Sequence, residues 1–376
     1  MSINNDAEGH MSQNFFDSRR RFMKNSILGG LGLAQGLLAS GAGLAQDSTL
    51  AEAGTSTPSP AGFGVPPSRV ALTTGNDRAD NTFRALRPFE KDIARAIGNK
   101  RVILKPNDVS VAKPLSASHA DQLEGILEFL KSIGKTNVVI AESPADGSAP
   151  EAFDNYGYSR FARKYGVQLV DLDETDVEAV YCMDQSDLRP HACRVSKMML
   201  DPDSFIISAA KLKTHFFTVA TFSLKNVVVA AAVKEPGAKP GGEMDRANRF
   251  LVHGGGVRGI HYNLAALAPR LHPHLAVIDG FEGMEGEGPV DGTPVDHRVC
   301  IAGMDWLAAD TVSAALIGLG IDKVGHLAYA AQAGLGQADL NKIQILGPAL
   351  KDHTKTYKLP ANTEELLAWQ KPLPKA

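Results

Sequence analysis

Residues Phe205 to His215 read FIISAAKLKTH, an apolar run with β-branched residues that passes directly into three basic side chains. A short apolar run of this kind is typical of a strand buried on both faces in a parallel sheet. In open parallel sheets, ligands bind beyond the carboxyl ends of the strands. This stretch therefore predicts both a central strand and, directly after it, one edge of a binding site.

The same alternation extends along the chain on both sides of this stretch. Short apolar runs alternate with segments whose apolar residues recur at helical spacing. The order predicts an α/β fold with a layered, mostly parallel sheet and crossover helices. The predicted strands are 69–73, 101–104, 138–141, 167–171, 205–208, 275–278 and 299–301, and the predicted helices are 81–97, 118–133 and 151–165.

One segment departs from this order. Residues 179–183 and 192–198 both have strand character and are separated by the polar sequence DQSDLRPH, which predicts an inserted antiparallel hairpin. A turn centred between Asp187 and Leu188 would place Cys182 directly opposite Cys193, close enough for a disulfide. The alternative is two free, half-buried thiols. Cys300 lies in a predicted core strand and is expected to serve as packing.

A charged residue follows each of five apolar strands. Lys105 follows the second strand, Glu142 the third, Lys211 the FIISAA run, Asp279 the LAVI run and Asp305 the CIAG run. One such residue is commonly a solvated loop side chain. Five together predict one shared pocket of charged groups at the strand ends.

The segment from Lys211 to Asn226 is the densest in chemically competent side chains. Ammonium groups, hydroxyls and an amide near a predicted helix start would suit a carboxylate or a phosphate. A lysine desolvated beside other cations could act as a base or as a Schiff-base nucleophile. His215 could transfer protons or ligate a metal. The alternative is a strand–loop–helix unit with exposed lysines and a structural histidine.

A third segment, DGFEGMEGEGP, places carboxylates between glycines. Carboxylates and freed carbonyl groups suit a hard cation such as Mg²⁺ or Ca²⁺, although the spacing is not that of an EF-hand. The alternatives are a flexible acidic turn or hydrogen bonds to the lysines across the pocket. The candidate metal ligands are Asp279, Glu282, Glu285 and Glu287.

The composition and the absence of certain motifs exclude several classes of protein. The 376 residues are 44% hydrophobic and 22% charged, as in globular proteins, and the net charge of -3 gives no case for nucleic-acid binding. Three cysteines exclude a disulfide scaffold. The chain contains neither a phosphate-binding P-loop motif nor a G-x-S-x-G nucleophile elbow.

The amino terminus has the features of an export signal. Ser18 to Lys24 read SRRRFMK, which resembles the twin-arginine signal, and an apolar, glycine-rich stretch ends in a small-x-small site at Ala45. We expect engagement of the twin-arginine export machinery, cleavage, a periplasmic or otherwise exported location and no membrane span afterwards; an uncleaved anchor is the alternative. The predicted divisions are a signal at 1–45, a flexible linker at 46–67, the α/β domain at 68–350 and a carboxyl-terminal tail at 351–376.

Five motifs in order resemble the domain-of-unknown-function 362 family. They are KPN at 105–107, AES at 141–143, KLKTH at 211–215, SLKN at 223–226 and DGFEGMEGEGP at 279–289. The resemblance covers Arg69 to Gly347 and implies a fold and a pocket but no established reaction. It also implies a histidine before the next helix, which His261 fits. Some relatives carry cysteine-rich iron–sulfur segments; this chain lacks them, so an iron–sulfur cluster does not carry over.

The sequence thus predicts an exported protein that binds a small anionic ligand or cofactor, with a divalent cation as a candidate second ligand. Acid–base chemistry of the isomerase or racemase type is the enzymatic interpretation. A non-catalytic ligand-binding or cofactor-carrying protein and an accessory partner of a membrane redox complex are the alternatives. The candidate catalytic residues are Lys105, Lys211, Lys213 and His215, and the candidate ligand-binding residues are Asn107, Glu142, Ser143, Thr214, Lys225, Asn226 and His261.

Overall fold

The computed structural model describes residues 65–237 and 247–372, which belong to one compact unit spanning Gly62–Ala376. The predicted signal at 1–45 and nearly all of the linker at 46–67 lie outside the described residues. The predicted tail at 351–376 is described as far as residue 372, and its aromatic side chains Tyr357 and Trp369 are buried against the domain.

A nine-stranded mixed sheet forms the centre of the molecule, and the hairpin β5–β6 forms a separate two-stranded sheet. The order across the large sheet is β11-β1-β10-β9-β7-β2-β3-β4, with β8 paired to β7. The strands are β1 Ser68–Thr74, β2 Arg101–Lys105, β3 Val138–Glu142, β4 Gln168–Asp171, β5 Val177–Met183, β6 Pro190–Ser196, β7 Ser204–His215, β8 Val219–Thr221, β9 Leu275–Glu285, β10 Thr293–Gly303 and β11 Ile343–Leu346.

Helices cover the sheet on both sides. All twelve residues of β7 and all five of β3 are buried, which requires a covered sheet on either face. The helices are α1 Arg78–Leu86, α2 Glu90–Ile97, α3 Ala120–Ser132, α4 Ala149–Asn155, α5 Ser159–Tyr165, α6 Ser223–Ala231, α7 Ala247–His253, α8 Val257–Leu267, α9 Trp306–Leu316, α10 Gly325–Gln332 and α11 Thr363–Leu366. Each fully buried Leu, Ile or Phe of this core contributes roughly 1.5–3 kcal/mol. The α/β fold with an inserted antiparallel hairpin is confirmed.

Strand direction corrects one prediction about the shared pocket. β2, β3, β7 and β9 run parallel, but β10 pairs antiparallel with both β9 and β1. Asp305, which follows β10, therefore lies at the opposite edge of the sheet from Lys105 and Glu142. Its carboxylate accepts a hydrogen bond from the Ala308 amide at the start of α9, so it is a helix cap.

Local breaks also shorten two predicted helices. The segment 81–97 is interrupted by a 3₁₀ turn at Arg87–Phe89, which contains Pro88. The segment 151–165 divides into α4 and α5. Helix α3 begins at Ala120 and is capped by His119, whereas the Ser118 hydroxyl accepts from the Asn107 amide and donates to the Ala209 carbonyl.

The register of the hairpin differs from the prediction. Cys182 pairs with His191, and Cys193 pairs with Val180, so the two cysteines are diagonal neighbours. The turn lies earlier because the Asp184 carbonyl accepts from the Leu188 amide at 2.8 Å and the Asp184 amide donates to Arg189 at 3.1 Å. Cys182, Cys193 and Cys300 are all free, buried thiols.

Candidate functional site

The motifs meet at the carboxyl ends of β2, β3 and β7. Lys105 ends β2 and Glu142 ends β3, while β7 continues past both and carries Lys211, Lys213 and His215. Helix α6 follows the short strand β8 and returns Lys225 and Asn226 to the same place. The charged groups predicted at these strand ends therefore cluster together, on three parallel strands and one helix.

Lys105 is a buried cation whose ammonium group has three hydrogen-bond acceptors. Its side chain is 0% exposed and forms an ion pair with Glu142. The ammonium also donates to the Pro106 carbonyl at 2.6 Å and to Asn226 Oδ1 at 3.4 Å. Burial lowers the pKa of Lys105, and the Glu142 carboxylate offsets part of that shift. Lys105, which the sequence suggested as a catalytic residue, is thus an ion-pair partner of Glu142 within the protein.

The neighbouring ligand-binding candidates are saturated by bonds within the protein. The Glu142 carboxylate accepts from the backbone amides of Asp108 and Ser143, both at 2.8 Å. Asn226 Nδ2 donates to Ser208 Oγ at 3.0 Å, and Asn107 Nδ2 donates to Asn226 Oδ1 at 3.1 Å. These groups hold β2, β3, β7 and α6 together and leave little capacity for a ligand.

Lys213 has a different environment. It is 1% exposed, and the only acceptor that its ammonium contacts among the described residues is the Ser116 carbonyl, at 2.9 Å. Burial, reinforced by the charges of Lys211 and Lys225, lowers the pKa of Lys213 well below its usual value. An ammonium here would leave two N–H groups unsatisfied, so the neutral amine fits the geometry.

Lys225 and His215 form a buried pair that no carboxylate of the described residues contacts. Lys225 Nζ lies 2.8 Å from His215 Nε2, and the Phe217 amide donates to His215 Nδ1 at 3.0 Å. Since Nδ1 accepts, the neutral ring carries its proton on Nε2, and that N–H donates to the lone pair of a neutral Lys225 amine. Burial lowers the pKa of Lys225 to about 7, which agrees with this geometry.

Lys211 is also buried, with 2% of its surface exposed. It is paired in register with Asp279, and Arg78 Nε lies 3.2 Å from Asp279 Oδ2. The Arg78 guanidinium stacks on Phe281, whose ring is partly exposed. Desolvation and the charges of Arg78 and Lys211 lower the pKa of the exposed His119, and the charge of Asp279 raises it. The carboxylates of Asp279 and Glu282 both act on Lys211, and Arg78 is the second cation beside Asp279.

The four predicted metal ligands do not converge. The acidic segment is not a loop: β9 continues to Glu285, so successive side chains alternate between faces. Glu285 accepts from the Lys358 amide and Glu287 from the Ala361 amide, while Glu282 is exposed. No group of three or more Asp, Glu, His or Cys side chains within 65–237 and 247–372 could hold a metal ion.

Hydrogen bonds join the end of β7, at Thr214, to the end of the acidic segment. The Thr214 hydroxyl donates to the Gly286 carbonyl at 2.9 Å, and the Phe216 amide donates to the Gly288 carbonyl at 2.8 Å. A Cβ on Gly288 would collide with the Thr214 carbonyl oxygen, so this close approach requires glycine. Ser143 donates to Asp173 and belongs, like Thr214, to the supporting structure.

His261 lies apart from the lysines and inside a helix, not before one. It is in α8, stacks on His326 with ring centroids 5.4 Å apart, and accepts from the His326 amide at 3.1 Å. The Nε2 atoms of both rings are buried and have no partner among the described residues. Burial, with the charge of Lys225, lowers the pKa of His261 to about 3, so the ring is neutral.

Sequence reasoning missed three buried groups. Burial and the nearby Glu142 raise the pKa of Asp108 well above its usual range, and the Tyr158 hydroxyl donates to it. Burial raises the pKa of Asp310 to about 7, and its carboxyl accepts from the Ser223 and Leu224 amides. The backbone amides at the start of α6 are thus already hydrogen-bonded to Asp310. His326 has no sequence signal, whereas Asp108 directly follows KPN.

The similarity of this chain to known proteins agrees with this arrangement of motifs. A family described as a domain of unknown function (DUF362) matches residues 102–315, which is more than half of the chain. The chain belongs to this family. The DUF362 match spans every strand end of the cluster, from Lys105 to Asp279. A thylakoid-associated protein of Synechocystis sp. is 26% identical over 241 residues, which is 63% of this chain and 68% of that protein. No solved structure matches the chain.

A second surface feature of this DUF362 member is an apolar groove of about 610 Å³ between the hairpin turn, α8 and α10. Leu188 and Tyr262 line the groove and are 67% and 51% exposed. Met183, Tyr329 and Arg258 are among the other residues that line it. None of the described helices combines the length and the apolar character needed to cross a membrane.

Proposed function

We propose that the basic cluster binds a small anionic ligand and that the Lys225–His215 pair moves a proton on it. The observation that carries this proposal is the 2.8 Å contact between Lys225 Nζ and His215 Nε2, buried and without a carboxylate partner among the described residues. A lysine amine with a pKa of about 7 can take up a proton at neutral pH once its lone pair turns from the imidazole N–H to the ligand.

The anion is held beside Lys211 and Arg78. Both cations lie near the Asp279 carboxylate, and an incoming carboxylate or phosphate would add a further anionic partner for them. The ion pair of Lys105 and Glu142, whose hydrogen bonds are all made within the protein, forms the base of the proposed site and fixes the spacing of β2 and β3. The reaction class is proton abstraction and return, as in an isomerase or racemase; without turnover, the same site is that of a ligand-binding protein.

Isothermal titration with inorganic phosphate, lactate and malonate tests the proposal, alongside native mass spectrometry of protein from its own host. Lys211→Met should weaken binding at least tenfold. Lys225→Met should retain binding and, with a turned-over substrate, lose proton transfer. The exposed Lys351→Met is the matched control and should change neither. If neither the titrated anions nor a co-purified one binds the wild type, the proposal fails.

Export by the twin-arginine route is part of the proposal and rests on residues 18–45. A reporter fused behind residues 1–67 should reach the periplasm. Replacing Arg19 and Arg20 by lysine should retain the reporter in the cytoplasm. Delivery that is unchanged by this double substitution would contradict the twin-arginine route. An uncleaved product in the membrane fraction would instead support the anchor.

Association with a membrane protein complex is a second candidate. The apolar groove with exposed Leu188 and Tyr262 favours it, since exposed apolar patches mark interaction sites. The name of the Synechocystis relative, a thylakoid-associated protein, adds support. Leu188→Ser with Tyr262→Ser should release the mature protein from the membrane fraction while anion binding is unchanged. Equal membrane recovery of the double variant would exclude this groove as the contact.

A further inference from the structure

We propose that the anionic ligand is a small 2-oxo acid and that Lys213 forms an imine with its carbonyl carbon. This inference rests on the proposed function and specifies its substrate class. The geometry of three lysines carries it. Lys105 has three acceptors, whereas Lys213 has one, the Ser116 carbonyl, among the described residues. Lys213 is therefore suited to be an amine rather than an ammonium.

A buried neutral amine is the form of lysine that attacks carbonyl carbon. The amino groups of Lys211 and Lys225 lie near Lys213, and a positive charge on either of them disfavours protonation of Lys213. Removal from water strengthens this effect, since the side chain is 1% exposed. The Ser116 carbonyl accepts one N–H at 2.9 Å, which orients the amine and leaves its lone pair unbonded among the described residues.

The carboxylate of a 2-oxo acid lies one bond from the carbonyl carbon that is attacked. Lys211 and Lys213 alternate with Leu212 along β7, so two successive same-side positions are about 7 Å apart at Cα. Lys211, with Arg78 beside it, would hold the carboxylate while Lys213 reaches the adjacent carbonyl. A neutral ketone has no carboxylate for Lys211 to hold. Comparing a 2-oxo acid with a neutral ketone therefore tests this contact.

The step balances with the groups present. The Lys213 lone pair forms the N–C bond while the carbonyl π electrons move to oxygen; the oxygen takes a proton and the positively charged nitrogen gives one up, which yields the neutral carbinolamine. Protonation of the carbinolamine hydroxyl then releases water, and the nitrogen lone pair forms the C=N bond of the iminium. The Lys225–His215 pair relays these protons, and the one proton taken up overall comes from water. No oxidant or reductant is consumed, and the resulting iminium makes the neighbouring C–H acidic enough for the neutral Lys225 to remove its proton.

Reductive trapping tests the inference. The purified protein is incubated with pyruvate and sodium cyanoborohydride, and the intact mass and the modified peptide are measured. We expect one N-(1-carboxyethyl) group, located on Lys213. Lys213→Met and Lys213→Arg should both abolish it, and the arginine variant preserves a cation if the methionine variant fails to fold. Lys351→Met should be labelled like the wild type. Lys211→Met should slow trapping of pyruvate tenfold or more but not trapping of acetone.

Three outcomes overturn the inference: no adduct, adducts scattered over exposed lysines, or equal labelling of Lys213→Arg. Titration with lactate, which lacks the carbonyl group, separates the two proposals. Lactate binding without a Lys213 adduct would leave the anion site intact and reject the imine. Absence of an adduct, together with no binding of lactate, phosphate, malonate or a co-purified anion, would reject both.

Discussion

Lys105 and Lys213 are buried lysines near the ends of two neighbouring strands, β2 and β7, but their surroundings differ. Lys105 is matched by the Glu142 carboxylate and two further oxygen atoms, and it holds the architecture. Lys213 is matched by one carbonyl group among the described residues and stands beside two more amines. The comparison teaches that burial alone does not identify a chemical role; the number of acceptors around the buried cation does.

The same substitution at both lysines should give the largest contrast. Lys105→Met leaves the Glu142 carboxylate buried without its cation, so we expect a loss of about 3–5 kcal/mol in the free energy of unfolding. Lys213→Met removes one hydrogen bond and a poorly satisfied amine, so we expect a change of about 1 kcal/mol or less. Urea denaturation of the two variants measures the difference. Equal losses would show that the two lysines have equivalent roles.

Gly288→Ala should disturb the β7 half of the cluster selectively. Its Cβ would press on the Thr214 carbonyl, next to Lys213 and His215, at a cost of about 1–3 kcal/mol. Gly286→Asn is the control, because asparagine tolerates the left-handed conformation that Gly286 adopts and open space surrounds that position. Thermal unfolding and anion titration should show both stability and affinity falling in Gly288→Ala only. An unaffected Gly288→Ala protein would contradict the close contact.

The pH dependence of stability tests the protonation state of Lys225. Its pKa is about 7 in the folded protein against 10.5 for an ordinary lysine. Between these values the unfolded chain binds a proton that the folded chain does not, so the free energy of unfolding rises with pH in this window. The slope from this group is at most about 1.4 kcal/mol per pH unit. Lys225→Met should remove that rise when wild type and variant are compared from pH 6 to 10, and parallel curves would contradict a neutral Lys225.

The smallest effect is expected far from the cluster. Tyr262→Ser changes an exposed groove residue, and we expect the free energy of unfolding to move by no more than about 0.5 kcal/mol. Anion binding should be unchanged, as measured by the same titration. A loss of several kcal/mol would mean that the groove belongs to the core of the domain, and a loss of anion affinity would connect two regions that we treat as independent.

Much of the fold was predictable because local sequence patterns encode it. The apolar runs at 101–104, 138–141 and 205–208 predicted three parallel strands whose ends form the cluster, and the hairpin was visible in its polar turn. The direction of β10 was not predictable, because an apolar run is the same for a parallel and an antiparallel strand. The hairpin register depended on Asp184 backbone contacts, which the residue spacing did not reveal.

The candidate site was predictable in its membership but not in its division of roles. The motifs KLKTH and SLKN brought together Lys213, His215 and Lys225 as expected. The pairing of Lys105 with Glu142 depends on which strands are neighbours, so the sequence alone could not distinguish a structural lysine from a chemical one. The predicted cation ligands failed to converge because β9 continues to Glu285 through a glycine-rich segment that suggested a loop.

Adjacent residues in two motifs do separate tasks: Asn226 fastens strands while Lys225 contacts His215, and Thr214 fastens β9 while Lys213 contacts Ser116. On the proposed mechanism, a family member with asparagine and threonine at these positions but with other residues in place of the two lysines would retain the architecture and lose the proposed proton transfer. Membership of DUF362 would then be separable from the proposed reaction. Lys213 and Lys225 are the positions at which the two kinds of member would differ.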